Sequence, residues 1–75
     1  MQKKPDQITI HERMETLIKE MIEKELPLKD ALREFEKIYI ETAKTKHRGN
    51  KTKTAQALGI HRNTLHNLIN VLKIE

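Results

Sequence analysis

Five positions near the end of this chain restrict its fold more than any others. Ala55, Gly59, Ile60, Leu65 and Leu68, within the stretch NKTKTAQALGIHRNTLHNLINVL, have the spacing of two short helices meeting at a tight corner. Ala55 is small enough to let two helices cross closely, and Gly59 can take the left-handed conformation that ends the first helix without a Cβ clash. Ile60, Leu65 and Leu68 then bury the apolar side of the corner. The pattern predicts a helix-turn-helix, with one helix from Lys51 to Leu58 and the other from about Arg62 to Leu72. The second helix leaves His61, Arg62, Asn63, Thr64, His66 and Asn67 outside. These are short or planar donors and acceptors plus one guanidinium, the kind of set that reads base edges from a major groove.

The leading half is also helical and has no strand pattern. Residues 1–7 are polar, contain Pro5 and carry no periodicity, so they are expected to be disordered or frayed. Thr9 with Glu12 fits a capping box, and Ile10, Met14, Leu17, Ile18, Met21 and Ile22 then recur at helical spacing to about Glu25. Glu15 with Lys19 and Glu20 with Lys24 are placed for i,i+4 pairing on the opposite face. Pro27 breaks this run and suits the first turn of a new helix. From Leu28, a stripe of Ala31, Leu32, Phe35, Ile38, Tyr39, Thr42 and Ala43 traces a second helix to about His47, closed by Gly49, with Asn50 as N-cap of the third. The expectation is an all-α chain of four helices: a helical region over 8–47 and a helix-turn-helix region over 48–75.

The first two helices carry more apolar surface than two short helices can cover. Each exposed Leu or Ile forfeits roughly 1.5 to 3 kcal/mol, and a chain this short buries only about 60% of its unfolded surface. A symmetric partner is the simplest cover. Ile10, Met14, Leu17, Ile18, Met21, Ile22, Leu28, Leu32 and Phe35 are therefore expected at a homodimer interface, an antiparallel helical pair from each copy making a four-helix bundle. The alternative is that the stripe folds over the corner as a monomeric core. Phe35 and Tyr39, four apart, are expected to pack in a core rather than to stack on bases.

Charge separates the same two regions. Residues 1–44 hold nine Lys plus Arg against ten Asp plus Glu, whereas residues 45–75 hold six against one. A basic excess confined to the helix-turn-helix end is the footprint of a polyanion, since neutralised phosphates release condensed counterions. The lack of exposed aromatic platforms favours duplex DNA over single-stranded RNA. Without cysteine there is no disulfide framework or thiolate metal site. His61 and His66, five apart, lie on different helix faces with no ligands to complete a set, so no metal or other cofactor is expected. The Glu residues alternate with Lys as on a solvated face, and no phosphate loop or nucleophile elbow is present, so no enzyme is expected. No apolar run reaches the roughly 20 residues of a membrane span, and no signal core follows the N-terminal lysines. The location expected is cytoplasmic.

From about Leu28 to Ile74 the chain resembles the Fis-type DNA-binding domain, found in the nucleoid protein Fis and at the C-terminus of NtrC-type transcriptional activators. The matching text is LREFEKIYIETA followed by HRGNKTKTAQALGIHRNTLHNLI, and its run GN-x-T-x-x-A-x-x-LGI-x-R-x-TL is specific. The resemblance implies a nucleoid-associated homodimer built on paired N-terminal helices, two helix-turn-helix units in successive major grooves, bent DNA and contact with the transcription machinery. By position, Arg62 and Thr64 fall where such a recognition helix touches DNA; Asn50, Thr52 and Lys53, with Lys51 among them, fall where the preceding turn and helix grip the backbone. Many members carry Lys or Arg through the middle of the recognition helix, where this chain has Asn67, Leu68, Asn70 and Val71. That departure implies fewer phosphate contacts and a shallower salt dependence. His61 and His66 gain charge on mild acidification, which is expected to tighten binding. A second function class is a helical dimerisation or protein-interaction module, such as the detached end of a larger activator.

Overall fold

A computed structural model describes residues 5–74, with side chains from residue 9 onward. The described residues form four helices and no strand: α1 (Pro5–Glu23), α2 (Leu28–Lys46), α3 (Lys51–Leu58) and α4 (Arg62–Leu72). They fall into two compact units, Met1–Ala31 and Leu32–Glu75.

In the first unit, α1 begins at Pro5, four residues before the expected cap at Thr9. Proline is tolerated in a first turn because the N–H it lacks would have no acceptor there. The Thr9–Glu12 pair consequently lies inside the helix, where the Glu12 carbonyl accepts a hydrogen bond from Thr16 Oγ1 at 3.0 Å. Of residues 1–7, expected to be disordered or frayed, residues 5–7 instead begin α1, and residues 1–4 fall outside the described residues. Of the two charge pairs expected, Glu20 meets Lys24 at 3.5 Å, while Glu15 takes His11 at 3.2 Å rather than Lys19. The apolar face of α1 is open to solvent in the single chain: Ile10, Met14, Leu17, Ile18 and Ile22 are exposed and Met21 half-buried. Leu28, in the first turn of α2, is 74% exposed.

The second unit contains the core. Ile40 of α2, Ala55 of α3, Leu65, Ile69 and Leu72 of α4, and Ile74 beyond it form one buried cluster, flanked by half-buried Leu58, Ile60 and Leu68. Leu65 is completely buried, as is Thr54. On α2, only Ile40 is buried; Lys37, Ala43 and Lys44, three or four residues from it, are half-buried on the same side, as is His47 just beyond the helix. Most of the stripe read from the sequence lies elsewhere on the helix, although Ala43 belongs to it. Leu32, Phe35, Ile38 and Tyr39 remain exposed, so Phe35 and Tyr39 are not core residues of the single chain; their rings pack on each other with centroids 5.6 Å apart.

All four helices end in the same way. A left-handed residue follows the helix, its N–H returns three residues, and the next N–H returns five, which satisfies carbonyls left without partners at a helix end. After α1 the bonds are Glu25 N–H to the Ile22 carbonyl and Leu26 N–H to the Met21 carbonyl; after α4 they are Lys73 N–H to Asn70 and Ile74 N–H to Ile69. Only α3 uses glycine for the left-handed position, at Gly59. Glu25, Arg48 and Lys73 hold it elsewhere, with φ of 59, 54 and 56°. After α2 the left-handed position is therefore Arg48, with Gly49 (φ 77°) following as a second one.

Candidate nucleic-acid interface

The geometry around α3 and α4 begins with two caps. Asn50 precedes α3 in extended geometry, and its side-chain oxygen accepts from Lys53 N–H at 3.0 Å. Its carbonyl accepts twice from Thr54, from the amide at 2.9 Å and from the hydroxyl at 2.7 Å. The buried Thr54 hydroxyl is thus satisfied, and it ties the start of α3 to the core. Nothing in the sequence marked Thr54 for this role except its place four residues after the cap. Gly59, at φ 70°, then turns the chain, and Ile60 N–H returns to the Ala55 carbonyl at 3.0 Å.

His61 caps α4. Its Nδ1 accepts from Asn63 N–H at 3.1 Å and its carbonyl accepts from Leu65 N–H at 3.0 Å. The amides of Lys51 and Thr52 on α3, and of Arg62 and Thr64 on α4, have no acceptor within their own helices. Each helix start therefore offers free donors at the positive end of a dipole, which is suited to phosphate oxygens.

The two sides of α4 differ sharply. Leu65, Ile69 and Leu72 face the core, while Arg62, Asn63, Thr64, His66 and Asn67 are exposed. Locked against the core on one side, the helix holds the other in a fixed attitude. All ten residues expected to touch DNA are exposed: Asn50, Lys51, Thr52 and Lys53 at the first turn of α3, and His61, Arg62, Asn63, Thr64, His66 and Asn67 at α4. Two of them, Asn50 and His61, already spend one acceptor on a cap.

Asn70 and Lys73 extend the exposed face. Arg62, His66, Asn70 and Lys73 follow each other at four, four and three residues, and Asn70 Nδ2 lies 3.3 Å from His66 Nε2. The i,i+4 relation to His66 was the signal in the sequence for Asn70. Lys73 and Arg48 add cations to this unit at left-handed turns.

No described helix is long and apolar enough to cross a membrane. Residues 31–67, which run from α2 through α3 into α4, match the family described as bacterial regulatory protein, Fis family. No curated protein and no solved structure matches the chain.

Proposed function

Because the chain belongs, through residues 31–67, to the Fis family of bacterial regulatory proteins and so carries a DNA-binding helix-turn-helix domain, we propose that it is a sequence-specific, duplex-binding homodimer. It acts in transcription regulation or as a DNA-bending architectural protein, in the cytoplasm at the nucleoid. The observation that carries this reading is the division of α4: its inner side is fixed in the core by Leu65, Ile69 and Leu72, and its polar first turns are wholly exposed.

Placed in a major groove, Arg62 can donate two parallel hydrogen bonds to O6 and N7 of guanine, and Asn63 or Asn67 can pair with adenine N6 and N7. Thr64 can reach a base edge or a phosphate. Asn50, Lys51, Thr52 and Lys53 supply phosphate contacts that fix register and carry no sequence information themselves. The charge distribution supports this division of labour, since the basic excess lies in residues 45–75.

A second copy is the cover for the apolar faces. Ile10, Met14, Leu17, Ile18, Met21 and Ile22 on α1, and Leu28, Leu32 and Phe35 on α2, are exposed or half-exposed in the single chain. Their burial stabilises a dimer by roughly 1.5 to 3 kcal/mol for each large side chain fully covered. Two copies of α4 then enter grooves about 34 Å apart, so the site read is an inverted repeat with half-sites about one helical turn apart. Selection of bound sites from a random duplex pool tests both parts. Enrichment of such a repeat is expected; enrichment of nothing, or of a single unrepeated site, sinks the proposal.

A further inference from the structure

The cap of α4 has an unusual chemistry. Asn63 N–H can only donate, so the ring nitrogen facing it at 3.1 Å, His61 Nδ1, must present a lone pair. A neutral imidazole with its lone pair on Nδ1 carries its proton on Nε2. The residue is exposed, so that N–H is available to an acceptor outside the protein.

We infer that His61 serves as a neutral cap and outward donor at the DNA-reading surface, and that its protonation uncaps α4 and weakens DNA binding. This rests on the DNA-binding reading above and concerns the regulation of that same site. Capping and protonation compete for one lone pair. An imidazolium leaves Asn63 N–H without its partner and puts a positive charge at the positive end of the helix dipole. Arg62 and Asn63, one and two residues on, then lose the fixed start that aims them.

The titratable groups of the neighbouring elements carry both signs. On α4, Arg62 adjoins His61, and His66 lies one turn further on, with its Nε2 against Asn70 Nδ2. The last turn of α3, Ala55 to Leu58, has no ionisable residue, and Lys51 and Lys53 stand in its first turn. On α2, the ionisable groups within four residues of the core residue Ile40 are Glu36, Lys37, Tyr39, Glu41 and Lys44, with His47 just beyond the helix. The opposing effect is attraction of the imidazolium to phosphate, so the sign of the pH dependence decides between the two.

The test is fluorescence anisotropy of a labelled duplex at matched ionic strength, at about pH 8 and about pH 6, for the wild type and His61→Asn. Asparagine offers a capping oxygen at both values. Stability from the cap is present while the ring is neutral and lost once it is protonated, so wild-type binding should weaken at the lower pH by about fivefold more than that of His61→Asn. His61→Asn, whatever its absolute affinity, should lack that part of the pH dependence; the other histidines are common to both proteins and cancel. The same slope in both proteins overturns the inference, as does a wild type that binds more tightly at the lower pH through His61. Exchange protection of the Asn63 amide in the free protein gives a reading without DNA. Protection should fall with pH in the wild type only, and protection that persists overturns the cap. A chain that binds no duplex at either pH overturns this inference together with the proposed function.

Discussion

Replacing Ile40 with alanine isolates the contact that holds α2 to the helix-turn-helix. Ile40 is 4% exposed and lies in the cluster of Ala55, Leu65, Ile69 and Leu72. The substitution removes three buried carbons, worth about 2.4 kcal/mol at about 0.8 kcal/mol each. The cavity left behind adds to this, within the roughly 2 to 5 kcal/mol seen for such truncations. A loss of about 3 kcal/mol is most of the stability of a domain this small. With a urea dependence of about 1 kcal/mol per molar, the unfolding midpoint followed by circular dichroism should fall by about 3 M. The control is Ile38→Ala, two residues away and 53% exposed in the single chain. In the homodimer proposed above a second copy covers this face, so its effect should depend on protein concentration, whereas the Ile40→Ala loss should contain the same increment at every concentration. If the two substitutions cost the same at all concentrations, or Ile38→Ala costs more in dilute solution, the assignment of the two faces of α2 is refuted.

Other expectations follow from particular residues. Glu25→Gly and Lys73→Gly should each raise thermal stability by up to about 1 kcal/mol, since both residues hold a left-handed conformation that costs a side-chain-bearing residue about 1 to 2 kcal/mol. Gly59→Ala should lose a similar amount through backbone strain alone, because an added Cβ there meets nothing within 4 Å; a melting temperature unchanged in all three would remove the capping argument. Ile18→Glu should lower the dimer mass seen by sedimentation equilibrium while the α3–α4 unit stays folded, and an unaltered mass would place the interface elsewhere. Lys53→Ala should weaken binding evenly across sequences and reduce the salt slope by about 1, which titrations on specific and random duplexes can separate.

How much of this was legible depended on whether the chemistry was local. The bounds of α3 and α4 could be read because Asn50 and Gly59 are residue types whose local behaviour fixes a helix end. The cap of α4 was less visible, as histidine is not a usual N-cap and only the structure shows Nδ1 taking the Asn63 amide. Left-handed Glu25, Arg48 and Lys73 gave no signal for a related reason: their side chains do not prefer that conformation, which goes with the returning hydrogen bonds at each helix end. Ile40 was hidden by superposition. It belongs to one face of α2, with Ala43 and Lys44, while Leu32, Phe35, Ile38 and Tyr39 belong to another, and a periodic reading merged the two into one stripe. On α4, Leu68 looked like a departure from a basic recognition helix, whereas it is half-buried against the inward side formed by Leu65, Ile69 and Leu72. Ile74 reaches the core only because Lys73 reverses the chain.

The claim at the centre is that the exposed start of α4 reads duplex DNA, and Arg62→Ala tests it most directly, by anisotropy on the site enriched from a random pool. The account predicts a loss of about 1 to 3 kcal/mol on that site, relaxed preference at one base pair, and little change on random duplex. Equal affinity of wild type and variant on the enriched site would contradict it.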